Sequence, residues 1–105
     1  MKLHSTKLIF GSVSFDNATT TAVKRSEGSY GWKVKRKPVQ NGLYRVEIED
    51  PLDNSIEPVV TVTPFDPVTS SSISNLSKDG FDVNLKSVGG DTDGDFGFVF
   101  IQNDP

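Results

Sequence analysis

Residues 41–51, NGLYRVEIEDP, give the clearest indication of fold in this sequence. Three apolar side chains, Tyr44, Val46 and Ile48, alternate with charged ones, so successive residues point to opposite faces. A period of two is the pattern of a half-buried β-strand. Pro51 ends this strand, because proline cannot donate a hydrogen bond to the ladder of a sheet.

The preceding segment, SYGWKVKRK (residues 29–37), alternates in the same way, with Tyr30, Trp32 and Val34 on one face. The two segments are therefore predicted to pair as a β-hairpin. A three-residue loop ending at Gly42, with that glycine in the left-handed conformation, keeps the apolar faces of both strands together. A two-residue turn would oppose unlike faces. The predicted register has three cross-strand pairs: Val34 with Ile48, Lys35 with Glu47, and Lys33 with Glu49.

Similar alternating segments recur along the rest of the chain, and none shows the period of a helix. Six segments are predicted as strands: residues 7–15, 29–37, 43–49, 58–64, 80–87 and 96–102. Thr20 to Lys24 and Ser72 to Leu76 are shorter candidates, the first as an edge strand. The sequence therefore predicts an all-β fold, an antiparallel β-sandwich (jelly-roll-like or similar) of about six to eight strands, in one domain over residues 1–105.

The last predicted strand, FGFVFIQ, is apolar on both sides. Phe96, Phe98 and Phe100 share one face, and Val99 and Ile101 share the other. Strands of this kind are typical of sheet centres, so this strand is expected to be central and buried on both faces.

The composition narrows the classes of function. With no cysteine in 105 residues, the chain can form neither a disulfide nor a cysteine-bound metal site. The net charge of −3 at pH 7 argues against general affinity for nucleic acid. No run reaches the roughly 20 apolar residues that span a bilayer, so membrane insertion is not expected. KLIFGSVSF, near the N-terminus, alternates like a strand and precedes no clear cleavage site, which argues against a signal peptide.

Catalytic chemistry has few candidate residues in this chain. His4 is the single histidine, and without a second imidazole or a thiol no nucleophile–base pair of the usual kind can be built. Glu47 and Glu49 share a strand face, but the lysines of the neighbouring strand are expected to neutralise them. An enzyme is therefore the least favoured class.

The acidic loop at residues 91–95 is the one candidate metal site. Asp91, Asp93 and Asp95 alternate there, and alternate aspartates in a loop can converge on Ca²⁺. The spacing does not fit a helix–loop–helix calcium site. The same residue types are those that tight turns prefer, and the turn is the favoured interpretation.

Basic side chains gather in the first half of the sequence. They are Lys24, Arg25, Lys33, Lys35, Arg36 and Lys37. Lys33 and Lys35 are explained by the glutamates across the hairpin, which leaves the other four, Lys24, Arg25, Arg36 and Lys37, as candidate anion contacts. A solvated charged face is the simpler interpretation. Trp32 is a candidate for stacking on a sugar, although its position on the apolar face favours a core role.

Five stretches of the sequence form a series of landmarks: GSYGWKVKR, NGLYRVEIEDP, EPVVTVTP, GFDVNL and GDFGFVFIQ. This series resembles that of small β-sandwich domains in phage tail-fibre and other virion-appendage proteins, and in some bacterial surface proteins. The resemblance spans residues 28–101. It implies a structural or binding module, often oligomeric, made in the cytoplasm and working on a virion or extracellular surface, and analogy with the resembling fibres suggests a homotrimer. It carries over no catalytic residue.

Two functions are expected from these observations. The first is a non-enzymatic module that acts in attachment or subunit assembly, with itself, other virion or surface proteins, or a surface glycan as partner. The second is a small lectin-like domain that binds carbohydrate or calcium, which an exposed Trp32 or a metal at residues 91–95 would favour. No cofactor other than Ca²⁺ is suggested.

Overall fold

The computed structural model describes residues 5–15, 23–37, 41–52 and 57–104, and these residues contain β-strands and no helix. Eight strands have five or more residues, and a ninth, β8, has two. Their bounds are β1 Ser5–Phe15, β2 Val23–Gly28, β3 Trp32–Arg36, β4 Leu43–Ile48, β5 Val59–Pro64, β6 Ser70–Ser77, β7 Gly80–Ser87, β8 Gly90–Asp91 and β9 Phe96–Asp104.

The strands form two antiparallel sheets. Sheet A has the order β2-β1-β9-β5, and sheet B has the order β3-β4-β7-β6, with β8 beside β7. The two central strands of sheet A come from opposite ends of the described chain, since Ser5 of β1 pairs with Asp104 of β9. The predicted all-β antiparallel sandwich is confirmed. No helix in the described residues has the length and apolar character needed to cross a membrane.

The core lies between the two sheets and is rich in aromatic rings. Phe98 of β9 packs edge-on against Trp32 of β3, with ring centroids 4.8 Å apart. Phe81 of β7 contacts both Phe98 and Phe100, at 5.5 and 5.8 Å. Each contact joins a strand of sheet A to a strand of sheet B, so the inward-facing residues of both sheets stabilise the same core.

The β3–β4 hairpin forms with the predicted faces but not with the predicted register. Val34 pairs with Val46 rather than Ile48, a shift of two residues that leaves every side chain on its expected face. The predicted register would have carried the ladder through Pro38, which has no N–H to donate. The ladder instead ends at the bond from the Lys37 amide to the Leu43 carbonyl, 2.8 Å long.

Two details of the hairpin prediction have opposite outcomes. Gly42 has a φ of 76°, so its expected left-handed conformation is confirmed. Tyr30 was expected on the core face but is exposed. Gly31, with a φ of 93°, interrupts the alternation between Tyr30 and the first residue of β3.

The two shorter candidate strands both exist. The first overlaps β2, which runs past the predicted end at Lys24 to Gly28 and is an edge strand of sheet A. Residues 20–22 of the prediction lie outside the described residues. The second falls within β6.

The last strand, β9, is central, as predicted, but it is not buried on both faces. Its phenylalanines point into the core, whereas Val99 and Ile101 are 40% and 38% exposed on the outer face of sheet A. The prediction of two buried faces was wrong, because in the described residues sheet A packs against sheet B on one side only.

Candidate interaction surface

Asp93, the middle residue of the predicted metal loop, holds one end of the sandwich together. Its carboxylate accepts two hydrogen bonds from the Arg36 guanidinium, at 2.8 and 2.9 Å. It also accepts one from the Gly42 amide and one from the Tyr44 hydroxyl, each 2.8 Å long. Burial alone would raise the pKa of Asp93, but these donors outweigh it and hold the pKa below its ordinary value. Asp93 is therefore a structural anion whose oxygens are already used.

The other two aspartates of the loop point elsewhere. Asp95 accepts a hydrogen bond from the Phe15 amide, 2.9 Å long, and Asp91 lies exposed in β8. No group of three acidic or imidazole side chains in the described part of the chain could hold a metal ion. The geometry therefore does not favour the alternative of a calcium site at residues 91–95.

The predicted anion contacts of sheet B are engaged in ion pairs. Arg36 forms an ion pair with Asp93, and the Lys37 ammonium donates a hydrogen bond to the Asp82 carboxylate, 2.9 Å long. Asp82 lies on the outer face of sheet B, yet its side chain is 3% exposed. It also accepts hydrogen bonds from Arg45 and Asn75. Arg36 and Lys37 therefore have structural roles in place of the predicted role as anion contacts.

The remaining candidates of the sequence fall in three places. Lys33 and Lys35 both pair with Glu47, at 3.6 and 2.9 Å, which confirms that lysines neutralise this glutamate. The side chains of Lys24 and Arg25, whose backbone lies in β2, are outside the described part of the structure, as is the whole of His4.

Trp32 is a core residue. Its side chain is 3% exposed, and its indole N–H donates to the Ser29 carbonyl at 2.8 Å. A ring buried in this way cannot stack on a sugar, and the core role favoured by its position on the apolar face is confirmed.

In the described part of the chain, the outward side chains of β1, β5 and β9 in sheet A do not belong to the core between the sheets. On β1, β5 and β9 every outward-facing residue lacks a charge, and we call this set the uncharged face. It consists of Thr6, Leu8, Phe10, Ser12, Ser14, Val59, Thr61, Thr63, Gly97, Val99, Ile101 and Asn103.

Apolar side chains form the middle of the uncharged face. The register sets Leu8 beside Ile101 and Phe10 beside Val99, and Val59 flanks Ile101 from the other side. These five side chains, together with Phe65 of the loop after β5, each expose between 38% and 63% of their surface. They amount to a contiguous apolar patch of roughly 500 Å², which lies within the roughly 300–600 Å² of the largest patch on a typical monomer, a patch that is often functional.

A groove of about 520 Å³ crosses the uncharged face between Phe10 and Phe65. Gly97 is part of its lining, together with Val99 and the hydroxyl-bearing residues of the neighbouring strands. A Cβ at position 97 would stand 3.3 Å from Cζ of Phe65, so the glycine lets the ring lie low over β9. Glycine inside a strand commonly marks such a close approach. The groove therefore depends on one residue that weakens the strand holding it.

Sequence reasoning missed this surface, although a signal for it was present. The outward positions of LIF in β1 and FVFI in β9 are apolar, and no charge interrupts them on β5. Of these patterns, only that of β9 led to the prediction of burial on both faces. An apolar residue in the sequence indicates that its burial would be favourable. It does not indicate whether the core, a partner or nothing covers the residue.

No protein-family model, no curated protein and no solved structure matches this chain. The resemblance to virion-appendage domains therefore rests on the sequence landmarks quoted above.

Proposed function

We propose that this protein is a non-enzymatic β-sandwich module that works by docking its uncharged face on a protein partner. The role fits attachment or subunit assembly in a larger structure, such as a virion appendage or a surface protein. The observation that carries the proposal is the uncharged face itself, a continuous apolar sheet surface that the described core does not use.

The energy available from this face supports docking. At about 25 cal/mol per Å², covering a patch of roughly 500 Å² contributes on the order of 12 kcal/mol from this side alone. Association costs about 4–15 kcal/mol in lost freedom of motion. A partner must therefore bring a matching apolar surface for the complex to be stable.

The chemistry of the rest of the molecule supports a role without catalysis. The described carboxylates with lowered pKa values, Glu47, Asp82 and Asp93, are each held by cationic side chains. These carboxylates therefore already have structural partners within the fold.

Glycan binding is a second candidate, and the groove favours it. Phe10 and Phe65 offer two rings, and Ser12, Thr61 and Thr63 offer hydroxyls at the same groove. An apolar wall with a few hydrogen-bonding groups is the usual construction of a small-ligand site. This candidate needs neither Trp32 nor a metal.

Hydroxyl-radical footprinting tests the proposal with controls inside the chain. The protein is diluted until it sediments as a monomer, and the oxidation rates of Leu8 and Phe10 are compared with those of exposed Tyr30 and buried Phe96. The uncharged face is expected to react at rates nearer those of Tyr30. Rates near that of Phe96 in the monomer would mean that the chain covers its own face, and the docking function would be wrong.

The same measurement separates the second candidate. An oligosaccharide that occupies the groove protects Phe10 and Phe65 from oxidation and leaves Leu8 reactive. A docked protein protects all three side chains.

A further inference from the structure

We infer that the partner of the uncharged face is a second copy of this chain, packed face to face about a two-fold axis. The inference rests on the proposed docking function and adds the identity of the partner and the symmetry of the complex.

The absence of charge is the first reason. A two-fold interface sets one patch against itself, so any charge near its centre meets a like charge of the other copy. None of the outward-facing residues of β1, β5 and β9 is charged. A partner with a charged surface would find no complement on this face, whereas a second copy finds no repulsion.

The polar residues of the face are also compatible with themselves. Ser12, Thr61 and Thr63 carry hydroxyls, each of which can donate one hydrogen bond and accept others. Two identical hydroxyl-bearing surfaces can therefore pair, which two surfaces of donors alone or of acceptors alone cannot do.

The shape of the face offers both a projection and a recess. Phe10 is 47% exposed and stands at one side of the groove whose lining includes Gly97. A two-fold axis near Val99 would let Phe10 of each copy enter the groove of the other. The groove, at about 520 Å³, has room for an aromatic side chain.

The area agrees with a dimer. Two patches of roughly 500 Å² bury about 1,000 Å² of apolar surface, and the hydroxyl rim brings the total near the 1,200–2,000 Å² of stable complexes. A closed ring of three copies, the arrangement that the fibre resemblance implies, would need two different complementary patches on each copy. The described residues show one such patch.

Val99 is the best position at which to test the inference. It lies in the central strand β9, between Phe10 of β1 and Thr61 of β5. Sedimentation equilibrium over a concentration series is expected to show a dimer for the wild-type chain and a monomer for both Val99→Lys and Val99→Glu. Ser72→Lys, which adds the same charge on the exposed outer face of sheet B, is the matched control and is expected to remain a dimer.

Mixing the two Val99 variants makes the test specific for a second copy. A lysine and a glutamate at the same position attract each other across a two-fold axis, so the equal mixture is expected to recover dimers that neither variant forms alone. Circular dichroism spectra like that of the wild type show that each variant is folded. Should lysine or glutamate prevent folding, Val99→Thr with a weakened dimer replaces them.

Three results would overturn the inference. They are a wild-type chain that is monomeric at every concentration, a trimer, and a dimer that the Val99 variants leave unchanged. A monomer whose Phe10 oxidises rapidly would leave the docking function standing with a different partner. A monomer whose Phe10 is protected would remove the docking function as well.

Discussion

Outward-facing residues on both sheets follow the same alternation, but those of β1, β5 and β9 in sheet A differ in charge from those of sheet B. On β1, β5 and β9 no outward residue is charged, whereas the outward residues of β3, β4 and β7 in sheet B include six charged ones. These six are Lys33, Lys35, Arg45, Glu47, Asp82 and Lys86. The core determines which residues point inward, but it leaves the outward residues to respond to their surroundings. The outer face of sheet B carries charged side chains that water solvates well, whereas these three strands of sheet A expose large apolar side chains.

The charges of sheet B are largely paired with one another. Asp82 is shared by Lys37, Arg45 and Asn75, and Glu47 is shared by two lysines. A charged network that is already satisfied stays hydrated at its rim and gives a partner little to bind. The faces therefore differ in the large apolar surface that they expose to water, and the uncharged face is the one that exposes it.

The largest loss of stability is expected from a substitution in the core, which lies beneath both outer faces. Phe98 contacts Trp32 and Phe81 across the two sheets, and replacement by alanine removes these contacts and leaves a cavity. Phe98→Ala is expected to lower the free energy of unfolding by about 3–5 kcal/mol. Urea unfolding checks this value. A loss below about 1 kcal/mol would mean that the two sheets are not packed as described.

The charged face is expected to show a smaller but clear effect. Asp82→Asn removes the carboxylate from two cations while keeping the shape of the side chain. Lys37 and Arg45 remain partly hydrated, at 35% and 20% exposure, so the loss is expected to be about 1–3 kcal/mol, below that of a fully buried pair. Thermal unfolding should show a lower Tm, and a Tm unchanged from the wild type would contradict a structural role for the network.

Acid should destabilise the protein through carboxylates that lie outside the uncharged face. Burial opposes ionisation of Asp82 and Asp93, but their hydrogen-bond donors keep each pKa below the ordinary 3.8. The unfolded chain then binds more protons, so this stability is fully present above pH 3.8 and is lost as the pH falls through the folded pKa values. Unfolding free energies measured from pH 6 to pH 2 should fall steeply at the acid end, and less steeply in Asp82→Asn. A parallel decline in both proteins would show that other groups dominate.

The smallest expected effect is on the uncharged face itself. Val99→Thr keeps the β-branched shape and removes apolar surface that already meets water, so the stability of the monomer should change by no more than about 0.5 kcal/mol. Urea unfolding at low protein concentration measures it. The inward neighbour Phe98 provides the contrast. Equal losses of unfolding free energy in Phe98→Ala and Val99→Thr would contradict the assignment of position 98 to the core and position 99 to the exposed surface.

Much of the fold could be predicted from alternation, because the period of two reports which side of a strand faces the core. The inward residues of β4 and β7 are predicted in this way. The register of the β3–β4 hairpin was not, because a shift of two residues preserves every face and changes only which pairs meet. The absent N–H of Pro38 was the available signal for the shift, and it carries no periodicity.

The candidate surface was harder to predict than the fold. Apolar residues on both sides of β9 fit two arrangements. In one, both faces of the strand are buried; in the other, one face is buried and the other exposes an apolar surface that can bind a partner. Only the arrangement of the sheets separates these cases. In the same way, the aspartates of residues 91–95 look alike in sequence, and only the approach of Arg36 to Asp93 shows that one of them is structural.

The pairing of β1 with β9 has a consequence for how a new chain matures. The strands β3, β4, β6 and β7 of sheet B all lie between residues 32 and 87, so they can assemble while the chain is still being synthesised. Strand β1 emerges first and must wait for the last strand, β9, before the centre of sheet A can form. Contacts between residues so far apart in sequence form slowly, and an unpaired apolar strand is open to wrong pairing in the interval. The centre of sheet A is thus the last part of this fold to be completed, and the docking of copies proposed above requires that synthesis has passed β9.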